Sequence, residues 1–413
     1  MQYPRVQTID LNLPETLALA TALFFVGQFI VQRTSFLRRY SIPVPVVGGV
    51  LFALVLAVVG LLANVQLAMD ESLKDPLLLA FFATLGLGAD VRSLARGGWK
   101  LVILLGLFVC MMVMQCAIGV GMARLLDLHP LVGLLGGSIS LMGGHGTAAA
   151  YASSFSVTRN LQGALELGMA AATAGLILGS LLAGPVAERV MRRRGAKSTS
   201  APVSAEPAEP QGPVFMPITA EQLLFVLLVC LVCIGGAHSM HGLMKGTGML
   251  LPDFLWALLI GMVVRNAVMP LGARTGLTLR PVNDRAVQAF GSVSLSLFLI
   301  MALMSMRILD LATLAGPLLL IVVVNAIATA AFANFITSRV MGGDHDAAVI
   351  SGGQVAAGLA TTAVAMSVMQ TLTERHGPAP LAFLLIPIVG AFFADIANAI
   401  VLQAFFALPA LGF

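Results

Sequence analysis

Asp395 is the residue of this chain whose setting points most directly to chemistry. It is the one acid deep in an apolar run, Gly390–Leu408, and Asn398 follows three residues later. A carboxylate in such a run is expensive and functional by default. A hard cation such as sodium takes oxygen ligands, which Asp395, Asn398, threonine hydroxyls (Thr361 foremost) and unwound backbone carbonyls can supply. A proton carried on Asp395 is the competing role.

A second stretch is polar without being charged. Leu131–Val157 holds six glycines, five serines, one threonine and one histidine, and no formal charge. An ordinary lipid-facing span has no use for so many backbone and hydroxyl groups needing partners. We read it as a re-entrant hairpin, 131–157, whose half-helices meet at Gly143, Gly144, His145, Gly146 and Thr147. Broken backbone at membrane depth survives only inside protein or along a wet cavity. Half-helix N-termini offer free N–H groups and positive dipole ends, which suit carboxylates. His145 reads equally as a proton relay and as a satisfied neutral histidine.

The elements that must position these residues follow from composition. Of 413 residues, 58% are hydrophobic and 10% charged, against about 25% charged in soluble domains. Apolar runs of membrane-crossing length recur throughout. Spans are expected at about 15–32, 44–65, 75–90, 99–123, 163–188, 219–238, 250–268, 286–305, 312–338 and 380–408, with a second broken stretch at 346–371. The first apolar run has no small-residue cleavage site behind it and is followed by Arg33, Arg38 and Arg39, so it reads as a span with its N-terminus outside. Cys110, Cys116, Cys230 and Cys233 all fall in apolar spans and read as packing residues.

The halves look like copies. Ala80–Ala95 aligns with Leu297–Ala312, Gly143–Ser153 with Gly358–Val368, and Gly175 with Gly390, each about 215 residues apart. This gives a first repeat at 1–189 and a second at 218–413. The 190–217 linker between them is basic, then rich in Ala, Pro and Glu, with too little apolar surface to fold. With five spans and one hairpin each, the repeats insert upside down relative to one another. Seventeen of the 23 Lys and Arg then lie on the linker side and six on the other, as the positive-inside rule requires. The fold class is an all-α polytopic membrane protein with two inverted-topology repeats. Inverted repeats with broken helices are the architecture of secondary transporters, with sites at the midplane.

That placement makes Gly358, Thr361 and Thr362 the second tip, opposite Gly143–Thr147. Gln115 and Asn325 are mid-span amides that grip the hairpins, line the site or simply bond helix to helix. Glu166 is expected to face water. Ser138, Ser140 and His145 could suggest an intramembrane protease, but no nucleophile-elbow pattern supports one. A passive channel lacks a ring of charge or a filter motif.

At these residues the chain resembles the bacterial sodium:glutamate symporter family. The likeness rests on Ile42–Gly49 (IPVPVVGG), Asp75–Asp90 (DPLLLAFFATLGLGAD), Gly143–Thr147 (GGHGT), Ser292–Met304 (SVSLSLFLIMALM) and Val389–Ala399 (VGAFFADIANA). It covers nearly all the chain except the linker. The resemblance implies sodium-driven uptake of L-glutamate across the inner membrane by a homodimer. It implies an elevator-type transporter, both hairpins moving in one core against a fixed scaffold, with both termini periplasmic and the linker cytoplasmic. The second hairpin departs from the family pattern: Gly353–Ala365 lacks its histidine, its proline and a threonine, and Thr361 stands where that pattern has alanine. Without a deep Arg or Lys, anion recognition falls to helix ends and hydroxyls. Another amino acid or carboxylate, driven by sodium or protons, is the alternative cargo.

Overall fold

The computed structural model describes residues 7–39, 42–63, 65–89, 92–159, 161, 163–194, 218–244, 252–270, 283–305 and 314–408. Helix dominates, as the apolar runs require. The exception to an all-α chain is a two-stranded parallel sheet, β1 (Gln7–Leu11) with β2 (Val65–Met69). These segments flank spans, and each supplies the backbone partners the other lacks.

The first half holds α1 (Leu13–Arg33), short α2 (Ser35–Arg39), α3 (Val44–Ala63), α4 (Lys74–Gly88) and α5 (Arg92–Leu125). It continues with α6 (Pro130–Leu134), α7 (Gly144–Arg159) and α8 (Ala164–Arg194). Asn12 and Glu15 start α1 with reciprocal cap bonds of 3.0 and 2.9 Å, which satisfy two donors that the helix itself leaves open. Within α5, Gly98 has φ +58°, which sets residues 92–97 apart from the apolar span expected from 99.

The second half holds α9 (Ala220–Met244), α10 (Asp253–Val263), α11 (Asp284–Met304), α12 (Ala315–Phe332) and the single turn α13 (Ser338–Val340). Then come α14 (His345–Leu359), α15 (Thr362–His376), α16 (Pro380–Ile388) and α17 (Ala394–Phe406). Every expected span meets a helix. α8 carries its basic end to Arg194 rather than stopping near 188, and α9 likewise runs on to Met244 rather than 238. From 195 to 217 the expected linker lies outside the described residues.

Six helices among the described residues are long and apolar enough to cross a membrane: Leu13–Arg33, Gly98–Leu125, Ala164–Arg193, Ala220–Met244, Asp284–Met304 and Ala315–Val340. Others are shorter or pass through single π-turns, as at Val264–Val268 and Val389–Phe393.

The helices pack in two groups. α1, α3, α4, α9, α10 and α11 pack among themselves, and α5 to α8, α12 and α14 to α17 form the other body. Between the groups, α7 meets α11 and α4 meets the π-turn at Val389–Phe393. Glycine sets the closest approach inside the first group. A methyl placed on Gly86 of α4 would strike the Leu258 carbonyl, and one on Gly261 of α10 would lie 2.6 Å from the Ala83 carbonyl. Small residues letting backbones approach this closely are the ordinary device of membrane helix packing.

Gly86→Ala should therefore destabilise the protein by about 1–3 kcal/mol through overpacking. Gly235→Ala, with open space around it, should be neutral or stabilise by up to ~1 kcal/mol through helix propensity. Thermal unfolding of the two variants in detergent, side by side with the parent, reads the difference. Equal midpoints would contradict this account of the α4–α10 crossing.

Candidate functional site

The first broken segment runs α6, a π-turn at Leu135–Ile139, a turn at Met142–Gly143, then α7. Pro130 opens α6, pre-set for a first helical position. The backbone leaves helical geometry at Gly137, with φ −105° and ψ −138°. Gly144 opens α7 at φ +64°, a conformation glycine adopts without the Cβ penalty. The turn is at Met142–Gly143, and Gly144–Thr147 of the expected tip form the first turn of α7.

The second broken segment is α14 and α15. Asp344 caps α14, its Oδ1 accepting from the Ala347 N–H at 2.8 Å. The break comes at Ala360–Thr361, inside the expected tip of Gly358, Thr361 and Thr362. Gly358 lies in the last turn of α14 with Met111 and Met142 packed where a side chain would stand; its smallness serves packing. Thr361 starts the second arm, its hydroxyl accepting from the Val364 N–H at 3.3 Å.

The two tips meet. A Cβ on Gly144 would lie 3.9 Å from the Ala360 carbonyl. Behind them, Gly179 of α8 accommodates Leu359 and Ala360, at 3.0 and 3.1 Å from an added Cβ. The Thr362 hydroxyl lies 2.7 Å from a Cβ placed on Gly390, in the π-turn that leads into Asp395. Gly146 packs on the Phe81 and Leu295 side chains, and Thr147 is buried against Gly143.

Side-chain amides of other helices bond three backbone carbonyls of the broken segments, one of which, Ser138, also accepts from the Met142 and Gly143 N–H groups at 3.1 and 3.2 Å. Gln115 Nε2 of α5 donates to the Gly358 carbonyl at 2.9 Å and reaches Thr329 Oγ1 at 3.1 Å. Asn325 Nδ2 of α12 donates to the Gly136 carbonyl at 3.2 Å. Asn398 Nδ2 of α17 donates to the Ser138 carbonyl at 3.1 Å. All three side chains are buried, and each leaves its amide oxygen without a partner: Gln115 Oε1, Asn325 Oδ1 and Asn398 Oδ1. The nitrogen end ties each amide to broken backbone, and the oxygen end keeps its lone pairs unused.

Asp395 sits in the first turn of α17, partly exposed, with no hydrogen bond or ion pair to the described residues. His145 is 6% exposed, and its Nε2 lies 3.1 Å from Thr173 Oγ1. The Thr173 hydroxyl already donates to the Met169 carbonyl at 2.9 Å, so the ring nitrogen donates to it. The ring is thus hydrogen-bonded inside the protein through Nε2. Glu166, expected to face water, is buried at 9% exposure where α7 crosses the start of α8.

Thr173, Thr329 and the Ser138 backbone are parts of the site that sequence reasoning did not place there. A hydroxyl in an apolar span carries no distinguishing mark. Thr21 and Ser180 are of the same kind and merely bond their own helix, to Leu17 and Leu176, at 2.8 Å.

A multi-spanning chain whose two broken segments meet tip to tip in its interior has the architecture of a secondary transporter. The family model described as Sodium/glutamate symporter matches residues 9–378, and the chain belongs to that family. It is 43% identical to the sodium/glutamate symporter of Escherichia coli (strain K12) over 395 residues, which is 95% of this chain and 97% of the relative. It is 39% identical to the Haemophilus influenzae (strain ATCC 51907 / DSM 11121 / KW20 / Rd) symporter over 398 residues, 95% of this chain and 96% of the relative.

Gln115→Leu keeps the volume but strands the Gly358 carbonyl, which should cost about 1–3 kcal/mol. Gln115→Glu, lacking the N–H donors, should not restore it, whereas Gln115→Asn should recover part. Melting temperatures of the three variants test the order, and a Leu variant as stable as the parent would refute the bond's importance.

Proposed function

We propose that this chain couples the inward flow of sodium to uptake of L-glutamate across the bacterial inner membrane. The observation that carries the reading is the match, over 95% of the chain, to relatives named sodium/glutamate symporter. The geometry fits it. Both α7 and α15 begin at the meeting tips, so two sets of N–H groups without helical partners point toward one region. Two positive helix ends suit a substrate carboxylate where no deep Lys or Arg is available. Sodium, as cargo, takes the unpaired oxygens: Asp395, the Asn398 amide oxygen and the Thr361 hydroxyl, which has a lone pair to spare beyond its cap. Gln115 and Asn325 hold the tips and offer their amide oxygens to the same space.

The mechanism is one of mutual neutralisation. Sodium beside Asp395 removes the cost of an uncompensated carboxylate, and the bound cation favours the carboxylates of glutamate. Glutamate alone would set its own net negative charge beside the Asp395 carboxylate, whereas with sodium aboard that carboxylate is already neutralised, so substrate is favoured only once the cation is in place.

The topology belongs to the same proposal: inverted repeats at 1–189 and 218–413, re-entrant hairpins at 131–157 and 346–371, and an elevator-type homodimer. What supports it is that each half gives three span helices to the first packed group and two spans plus a broken segment to the second. The first group acts as scaffold and the second as moving core. The charge bias puts the 190–217 linker in the cytoplasm and both termini in the periplasm.

Proteoliposomes should accumulate labelled glutamate when sodium is high outside. Asp395→Asn should lower that uptake at least ~10-fold, a loss of about 1.4 kcal/mol, while a pH gradient alone should drive none. Uptake indifferent to sodium, with Asp395→Asn equal to the parent, would overturn the proposal. Uptake driven by the pH gradient instead would assign Asp395 the proton.

A further inference from the structure

A cavity of about 270 Å³ lies between α4 and α11, lined by Phe81, Thr84, Asp284, Gln288, Ser292 and Leu295 among others. By liquid volume it has room for roughly nine waters. Asp284, Gln288 and Ser292 recur every four residues, so they form one polar stripe along α11. All three are exposed, while Thr84 across from them is buried. An exposed polar stripe on a membrane helix is costly in lipid and belongs on a water-filled cavity.

The position of the cavity gives it a use. Its far end is closed by Phe81 and Leu295, the two side chains on which Gly146 of the first tip packs. Its mouth is marked by Asp284, whose carboxylate pairs with Arg265 at 2.9 Å. Leu295 lies eleven residues along α11 from Asp284, about 16 Å, which is roughly half the hydrocarbon thickness. The cavity therefore spans from the Asp284 face to midplane depth, ending at the tip. Its walls belong to one group of packed helices and the tip to the other.

We propose that this cavity is the cytoplasmic vestibule through which cargo leaves the first hairpin tip, with Phe81 and Leu295 as its inner gate. The direction rests on the orientation given under Proposed function. The ion pair at the mouth makes the route passable to an anionic amino acid, because Arg265 neutralises the Asp284 carboxylate that would repel it. Between mouth and gate the polar groups are neutral: Gln288, Ser292 and Thr84. These hydrate a sodium ion or an amino acid without holding it. A stripe that served only to meet a neighbouring helix would be closed to water.

Accessibility of introduced thiols decides this. Ser292→Cys and Gln288→Cys should react with a membrane-impermeant methanethiosulfonate applied to inverted vesicles. They should react at least ~10-fold faster than Val293→Cys, which is exposed on a different face of α11, and faster than in right-side-out vesicles. The parent protein, with its four native cysteines, sets the background. Glutamate with sodium should slow both reactions, and modified Ser292→Cys should lose uptake. Rates no faster than Val293→Cys in both variants, or reaction from the opposite face only, would overturn the vestibule. Labelling needs no transport, so this result stands apart from the test of sodium-driven uptake.

Discussion

The structure depends on a rule about backbone: inside a membrane, a carbonyl or N–H released from a helix must find another partner in the protein. Every broken segment here obeys it by borrowing a side-chain amide from elsewhere. The carbonyls of Gly136, Ser138 and Gly358 are held by Asn325, Asn398 and Gln115. An amide is the right group because it donates from one end while keeping an acceptor at the other. A lysine would donate too, but would add a charge and offer no oxygen. The same bonds that make irregular backbone tolerable leave the amide oxygens of Gln115, Asn325 and Asn398 without a hydrogen-bond partner among the described residues.

The second consequence is mechanical. Two bodies of helices are each densely packed, with glycine-mediated approaches such as α4 on α10, and they meet through a small set of contacts. Gly146 on Phe81 and Leu295 is one of them. Close packing within bodies and sparse packing between them concentrates any relative motion at one surface, and the hairpin tips lie on it.

Much of this was legible in the sequence because the membrane imposes simple patterns. Apolar length placed the spans, and glycine with serine in a chargeless stretch placed the first tip. The solitary Asp395 stood out as the one acid deep in an apolar run, and it lies one turn before Asn398, which holds the Ser138 carbonyl. The second tip was read as Gly358 to Thr362, and the break at Ala360–Thr361 falls inside it, although glycine is not the residue that makes it. The actual stop is made by Thr361, whose hydroxyl caps the next arm. Thr173 and Thr329 were illegible, since their roles depend on which helix lies opposite, and periodicity carries no such information. Glu166 was misplaced for the same reason: its burial comes from a helix crossing above it. The strands were hidden because β1 and β2 are far apart in sequence and pair only after the spans between them have packed.

The amide bonds also cross the chain's own chronology. Asn325 lies 189 residues after the Gly136 carbonyl it holds, and Asn398 lies 260 after Ser138. At roughly 5–20 residues per second of synthesis, the first broken segment waits on the order of 10–40 s for its first partner to exist. Until then the Gly136 carbonyl lacks that amide, while the Ser138 carbonyl can already accept from the Met142 and Gly143 N–H groups of its own segment. The first half is therefore not a free-standing unit that the second half later joins. Its contacts reach past the middle of the chain, so the ribosome has to extend well into the second half before the Gly136 carbonyl gains its amide.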